Sequence, residues 1–370
     1  MELQIHNWKW KPKPDYGRLV RTLRRQGDSD HVPFLELFAD PEVFAGALGA
    51  SLIPDDVQIY DRDALRAALD QRIAFWYQLG YDAFWVGPLL DFPELLRLEA
   101  QDTAILSRGK RVWVDEKGGA ITNWQGFEQY PWPRASDADY FPLEYAARHL
   151  PEGMAIIGQV GNGVLETVMW LMGYKSFAVA LYDQPDLVEA MFRKVEEIFL
   201  PIAQTVTQME RVVAIWLADD MGYKSGPLIS PGHLRKYVFP IQKKIAVIAH
   251  EHGMPFLLHS CGNLEAVMED LIEDIQIDSK HSFEDVIQPV EVFFARYGQR
   301  ISIIGGVDMD LLARGSEGQV RKRTRQILHC CGYSGCYLLG SGNTPANYVP
   351  LTNYFAMLDE GQRFNAGLSS

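Results

Sequence analysis

The feature that most constrains this chain is a recurrence of eight apolar, β-branched-rich runs of strand length, each followed by a longer stretch with helical spacing. They read VPFLELF (Val32 to Phe38), AFWVGPL (Ala83 to Leu89), MAIIGQVG (Met154 to Gly161), VVAIWLADD (Val212 to Asp220), PFLLHSCG (Pro255 to Gly262), IQIDSKHS (Ile275 to Ser282), ISIIGGVD (Ile301 to Asp308) and CYLLGSGN (Cys336 to Asn343). Near-continuous apolar strands mark a parallel sheet buried on both faces, because crossover helices cover both. Eight such units predict an α/β fold closed into a single (β/α)8 TIM barrel rather than an open doubly wound sheet. The intervening helices carry their own signals. SPGHLRKYVFPIQKKIAVIAHEHG has Ser230 as cap, Pro231 in its first turn and Gly253 past its end. NLEAVMEDLIED puts Leu264, Val267, Met268 and Leu271 on one face.

Residues 90–150, between the second and third runs, are too many for one crossover. RVWVDEKGGAITNWQGFEQYPWP reads as a β-hairpin turning at Lys117, Gly118 and Gly119, then an aromatic loop. The expectation is one barrel domain over residues 1–370 with an insertion or lid at 90–150.

A formal net charge of −13 repels a phosphate backbone, and the one concentrated basic stretch, GRLVRTLRRQGD, reads as a solvated helix face. No nucleic-acid partner is expected. The opening residues lack an apolar signal core, and no run approaches the roughly 20 apolar residues that span a bilayer. The expectation is a cytoplasmic protein with no membrane partner; its oligomeric state is left open. Four cysteines in 370 residues do not make a disulfide scaffold.

Chemistry in such a barrel sits where the strands end. The run ends supply Glu36 and Asp40, Gln159 and Asn162, Asp219 and Asp220, His259 and Cys261, Lys280 and His281, Asp308, and Asn343. Asp219, Asp220, His281 and Asp308 are the catalytic candidates, although a strand-end Asp also caps the next helix. Lys280, Asn343 and Tyr223 are the cofactor or substrate contacts. His259 and Cys261 are two residues apart at a strand end, so they face the same way and suit one metal ion, a thiolate favouring zinc. The third ligand is unassigned. Cys330, Cys331 and Cys336 lie at the other end of the last strand, roughly 20 Å away at about 3.3 Å per residue, and read as structural.

At these residues the sequence resembles the uroporphyrinogen decarboxylase superfamily, which includes cobalamin-dependent methyltransferases. The resemblance runs through LADDMGYKSGPLISP, HGMPFLLHSCGNL, IIGGVD and GSGNTPANYVPLTNYFAML, and more loosely VPFLELF and DEKGGAITN with YPWP. It implies a TIM barrel whose His-x-Cys motif, here His259 and Cys261, binds zinc, and a methyl transfer between a corrinoid protein, supplied in trans, or another donor and a thiol or folate acceptor. The resemblance also implies a second cysteine near the end of the last strand; this sequence has Asn343 there. The decarboxylase branch implies an arginine-bearing segment after the first strand that grips substrate carboxylates; LELFADPEVFAG has only acidic charges. A metal-free carboxy-lyase therefore ranks second, with Asp219 or Asp220 stabilising a cationic intermediate and Lys280 or Lys224 pairing with the substrate carboxylate. A barrel that only binds a flat corrinoid or tetrapyrrole-like ligand on Trp85, Trp124, Tyr130, Trp132 and Tyr223 ranks third.

Overall fold

The computed structural model describes residues 3–6, 8–54, 61–93, 95, 97–107, 109–115 and 118–368. Seven of the eight runs form one curled parallel sheet: β1 (Ala83–Val86), β2 (Ala155–Gly158), β3 (Val212–Ala218), β4 (Phe256–His259), β5 (Ser279–His281), β6 (Ser302–Ile304) and β7 (Tyr337–Leu338). Each strand pairs in parallel with the next in sequence, the order that winds a sheet into a barrel.

The first run departs from the expectation. Val32 to Phe38 meets the end of β7 through a single parallel bridge, Phe34 with Leu339, closed by Leu35 N–H to the Leu339 carbonyl (3.0 Å) and Leu339 N–H to the Pro33 carbonyl (2.9 Å). Pro33 has no N–H to extend the ladder. Toward β1 the described residues show no ladder; the rings of Phe38 and Trp85 stack instead, 5.9 Å apart. The sheet is therefore a seven-stranded curl with its eighth position filled by an extended segment.

Inside the curl, Leu35 and Leu37, Ala83, Ala155 and Ile157, Ala214 and Trp216, Leu257, Ile304 and Leu338 form one buried cluster. These are alternate residues of each strand, as a period of two requires. Leu19 and Leu23 join the same cluster from the helix Tyr16–Leu23, which plugs the N-terminal end of the barrel. The arginines of that basic helix are engaged within the protein: Arg18 pairs with Asp82 at 3.1 Å, and Arg24 and Arg25 donate to the carbonyls of Gly253 and Gln299. Among the described residues no single helix is long and apolar enough to cross a membrane.

The helix after β3 starts as expected, Ser230 Oγ accepting from His233 N–H at 3.2 Å, and its last turn closes on Gly253 with φ of +69°. Pro240 cannot donate to the carbonyl four residues back, and the turn before it widens so that Phe239 N–H bonds the Leu234 carbonyl.

The expected hairpin turn at residues 117–119 is displaced. Lys117 lies outside the described residues. Lys110–Val114 pairs backwards with Arg97–Gln101 in an antiparallel ladder. Asp102 organises that connection, its carboxylate accepting from Ala104 N–H at 3.0 Å and its carbonyl from Ser107 Oγ at 2.7 Å. Gly119 serves close packing: a Cβ there would lie 2.0 Å from the Met172 carbonyl carbon.

Candidate metal centre

Three donors converge beyond the ends of β3 and β4. On β3 the even residues Ala214, Trp216 and Ala218 face the interior cluster, and the same parity carries Asp220 to the mouth. On β4 the odd residues Leu257 and His259 do so, and Cys261 follows. The ligand atoms of Asp220, His259 and Cys261 all lie within 4.8 Å of one another. His259 Nε2 is 3.4 Å from Asp220 Oδ1 and 3.5 Å from Cys261 Sγ. Cys261 N–H donates to the same Asp220 Oδ1 at 2.8 Å, fixing the carboxylate. The crossing of the two loops requires glycine: Gly262 has φ of +81°, and a Cβ there would lie 2.2 Å from the Gly222 carbonyl carbon.

These spacings fit a tetrahedral ion. Zinc–ligand bonds of about 2.3 Å to sulfur and about 2.0–2.2 Å to nitrogen and oxygen give tetrahedral edges of about 3.5 Å (S to N) and about 3.4 Å (N to O). Both observed separations match, and 3.4 Å is long for an N–H···O hydrogen bond. Two anionic donors and a neutral imidazole balance a divalent charge, and a three-donor set leaves a fourth position open.

The surroundings orient these donors. His281 on β5 is fully buried, packs edge-on against Trp216, and its Nδ1 lies 2.7 Å from His259 Nδ1. Burial holds His281 well below the usual imidazole pKa, so it is neutral. Its Nε2 faces the Ser341 carbonyl at 3.4 Å. A His259 that ligates through Nε2 carries its proton on Nδ1, and the His281 Nδ1 2.7 Å away is placed to accept it. That tautomer turns the His259 Nε2 lone pair toward Asp220 and Cys261, as ligation requires. Gly305 makes room: a Cβ there would sit 2.9 Å from the His281 ring.

Cys261 Sγ accepts from Asn343 Nδ2 at 3.1 Å and lies 3.9 Å from Ser282 Oγ. Burial first, then the Asp220 charge, pushes the thiol pKa up. Without a cation the sulfur is a thiol; a bound cation reverses that balance. For Asp220, burial alone raises the pKa; with no ion bound, a proton on His259 Nε2 and the Cys261 N–H outweigh it and bring the carboxyl down to about 2.

Several sequence candidates lie elsewhere. Asp219 points to the outer layer, where it accepts from Leu165 N–H (2.9 Å), Glu166 N–H (3.2 Å) and Gln242 Nε2 (2.7 Å), closing the N-terminus of the helix Val164–Met172. Asp308 caps the helix Met309–Arg314 and accepts from Asp285 N–H at 2.8 Å. Neither carboxylate faces the triad. His281 stands behind His259 rather than beside it. The Tyr223 side chain is 62% exposed. Lys280, between the inward Ser279 and His281, points outward. Asn343 reaches the site as a hydrogen-bond donor to Cys261. Among the aromatics, Tyr130 donates to the Pro93 carbonyl (2.6 Å) and Trp132 to the Phe127 carbonyl (3.1 Å), so both are packing groups; Trp124 packs edge-on against Phe127.

Glu36, a strand-end candidate, sits in the seam between the first run and β7. Its carboxyl oxygens meet Ser341 N–H at 2.8 Å and Ser341 Oγ at 2.6 Å. Burial raises its pKa to about 8, against the opposing hydrogen bonds of Ser341. Ser341 thus links the seam to His281, and nothing in the sequence flagged it.

The family model for uroporphyrinogen decarboxylase (URO-D) matches residues 141–364, more than half of the chain and every residue of the triad. The chain belongs to the uroporphyrinogen decarboxylase family. None of the curated proteins is a sequence match. Among solved structures, a methyltransferase from Methanosarcina mazei superposes with a TM-score of 0.70 at 18% identity, covering 94% of this chain and 98% of its own. A xylose isomerase-like TIM barrel protein from Mycobacterium smegmatis in complex with magnesium superposes at 0.41 with 10% identity, covering 92% and 99%. The former shares the fold of this uroporphyrinogen decarboxylase family member; the latter is too distant to carry an argument.

Proposed function

We propose that this chain is a methyltransferase of the uroporphyrinogen decarboxylase superfamily, holding zinc at Asp220, His259 and Cys261 and moving a methyl group from a corrinoid protein or another donor to a thiol. The observation that carries this reading is the match of the His259–Asp220 and His259–Cys261 separations to tetrahedral edges, with all three ligand atoms within 4.8 Å of one another. The Methanosarcina mazei methyltransferase lends it support.

The ion, once bound, supplies a positive centre that stabilises an acceptor thiolate at neutral pH, where a free thiol of pKa about 8.5 is mostly protonated. The residues of the chain do the rest. His281 holds the His259 ring in one tautomer. Asn343 donates to Cys261 and restrains its sulfur, and the barrel interior keeps water from behind the site. In the transfer, the acceptor sulfur forms its bond to the methyl carbon, and the bonding pair of the broken cobalt–carbon bond stays with the corrinoid. Residues 90–150 would serve as the lid over this face.

The test is loss of methylcobalamin absorbance in the presence of zinc-loaded protein and small thiols, with methyl thioether as product. Turnover that disappears in Cys261→Ala supports the reading. A zinc-loaded protein that leaves methylcobalamin intact, and instead releases carbon dioxide from a carboxylated substrate without metal, places it in the lyase branch.

A further inference from the structure

The end of the barrel opposite the metal centre carries a cavity of about 330 Å³, between the segment before the plug helix and the start of the first run. Its titratable walls are all basic: Lys11, Lys13, Arg18 and His31, with no aspartate or glutamate among the lining residues. That runs against the net charge of the chain, −13. These four side chains also precede residues 141–364, the part that the family model matches.

The protein itself leaves these donors under-used. A guanidinium has five N–H donors; on Arg18, those of Nη2 meet Asp82 Oδ1 at 3.1 Å and the Lys13 carbonyl at 3.4 Å. Arg18 Nε is buried, and among the described residues neither it nor Nη1 has an acceptor. Lys11 and Lys13 form no ion pair or side-chain hydrogen bond among the described residues. Burial first, then the Arg18 charge, lowers the His31 pKa to about 4, so its ring is neutral at pH 7 and offers an N–H without a charge. Asp15, Asp28 and Asp30 pull on His31 in the other direction, but none of them lines the cavity, and Asp28 is engaged by Arg21 at 3.4 Å. With Arg18 balanced by Asp82, the two lysines leave two positive charges on the wall. A phosphate monoester carries close to two negative charges at neutral pH. Opposing it are the C-terminal ends of the helices Arg62–Leu79 and Leu351–Asn365, which reach the cavity at Gly80 and Ala366 and set how weakly an anion is held. At roughly 30 Å³ per water, the volume equals about eleven waters, room for a phosphate group with a small body attached.

We propose that this cavity is a phosphate site separate from the metal centre, in which Lys11, Lys13 and Arg18 take the phosphate group of a small phosphorylated molecule or inorganic phosphate itself. The site stands whatever reaction takes place at Asp220, His259 and Cys261.

The test is calorimetry and thermal unfolding of the full chain with inorganic phosphate and with ribose 5-phosphate, against ribose and against chloride at matched ionic strength. Both phosphates are expected to bind and to raise the melting temperature with concentration, as a ligand of the folded state does, and ribose is not. Lys11→Ala/Lys13→Ala removes two exposed side chains that hold nothing else in place. It is expected to weaken phosphate about two- to thirtyfold, the range for two exposed charge pairs, and Lys11→Arg/Lys13→Arg to restore it. Cys261→Ala is expected to bind phosphate unchanged, which separates this cavity from an anion held on the metal. Ribose 5-phosphate that binds more tightly than inorganic phosphate assigns the site to a phosphorylated small molecule, and equal affinities assign it to inorganic phosphate. No binding of either phosphate, equal affinities in the unmodified protein and a folded Lys11→Ala/Lys13→Ala, or loss of binding in Cys261→Ala overturns the site.

Discussion

Replacing Glu36 with glutamine changes how stability depends on pH, and the size of the change follows from where the residue sits. Its carboxyl is fully buried in the seam between the first run and β7, with its pKa at about 8 against 4.5 for an ordinary glutamate. Between those values the folded protein holds a proton that the unfolded chain has released. Stability therefore falls as pH rises through this window, by about 1.4 kcal/mol per pH unit for one group. From pH 5 to pH 8 the loss amounts to ~4 kcal/mol. The substituted glutamine would keep both contacts, its carbonyl accepting from Ser341 N–H and its amide donating to Ser341 Oγ, but has no proton to lose. Asp82 and Asp219, each raised to about 6 by burial, tilt the curve the same way at lower pH, and they cancel because both proteins contain them. Urea unfolding of the two proteins at half-unit intervals measures the difference. Glu36→Gln is expected to match the unmodified protein near pH 5 and exceed it by several kcal/mol at pH 8. Curves that run parallel from pH 5 to 8 would refute the assignment of a buried, protonated Glu36.

The candidate metal centre makes further predictions. His281→Phe removes the acceptor behind His259 Nδ1, 2.7 Å away, and is expected to weaken zinc about 10- to 100-fold in a chelator competition; unchanged affinity in a folded variant contradicts the orienting role. Asn343→Cys places a thiolate where an amide now stands 3.1 Å from Cys261 Sγ. It is expected to tighten zinc binding and slow turnover by filling the open position, as closed structural sites do; looser zinc would show that position 343 faces away from the ion. Asp219→Ala removes the cap of the helix Val164–Met172, and the expected cost is about 1–3 kcal/mol in unfolding with zinc stoichiometry unchanged. Loss of zinc from a folded Asp219→Ala would return that residue to the ligand set.

The legibility of this molecule follows its periodicities. Runs with a buried face on each side wrote their strands into the sequence, and seven of them pair. The first run reads the same way, but Pro33 and the polar Glu36 make it a bridge rather than a ladder, a distinction that depends on its neighbours. His259 and Cys261 were visible because i and i+2 share a face. Asp219 and Asp220 were separable in principle: Trp216 is the large interior residue of β3, and counting by twos from it selects Asp220 for the mouth and sends Asp219 to the helices. The same count separates His281 from Lys280. Asp308 carried a capping pattern that competed with a catalytic one, and the structure realises the cap. Ser341 left no trace: it faces His281 with its backbone carbonyl and meets Glu36 with its N–H and hydroxyl, contacts that depend on neighbours distant in sequence. The hairpin turns elsewhere than expected because Gly118 and Gly119 resemble a turn, whereas the Asp102 and Ser107 hydrogen bonds make one.

The central claim is that Asp220, His259 and Cys261 hold one zinc ion, and metal content measures it most directly. Protein purified without a histidine tag from zinc-supplemented medium is analysed for metals alongside Cys261→Ala and Asp220→Ala. The account predicts about one zinc per chain in the unmodified protein, and little in either folded variant. A folded, zinc-supplemented protein that carries no metal, or variants that retain it in full, would contradict the account.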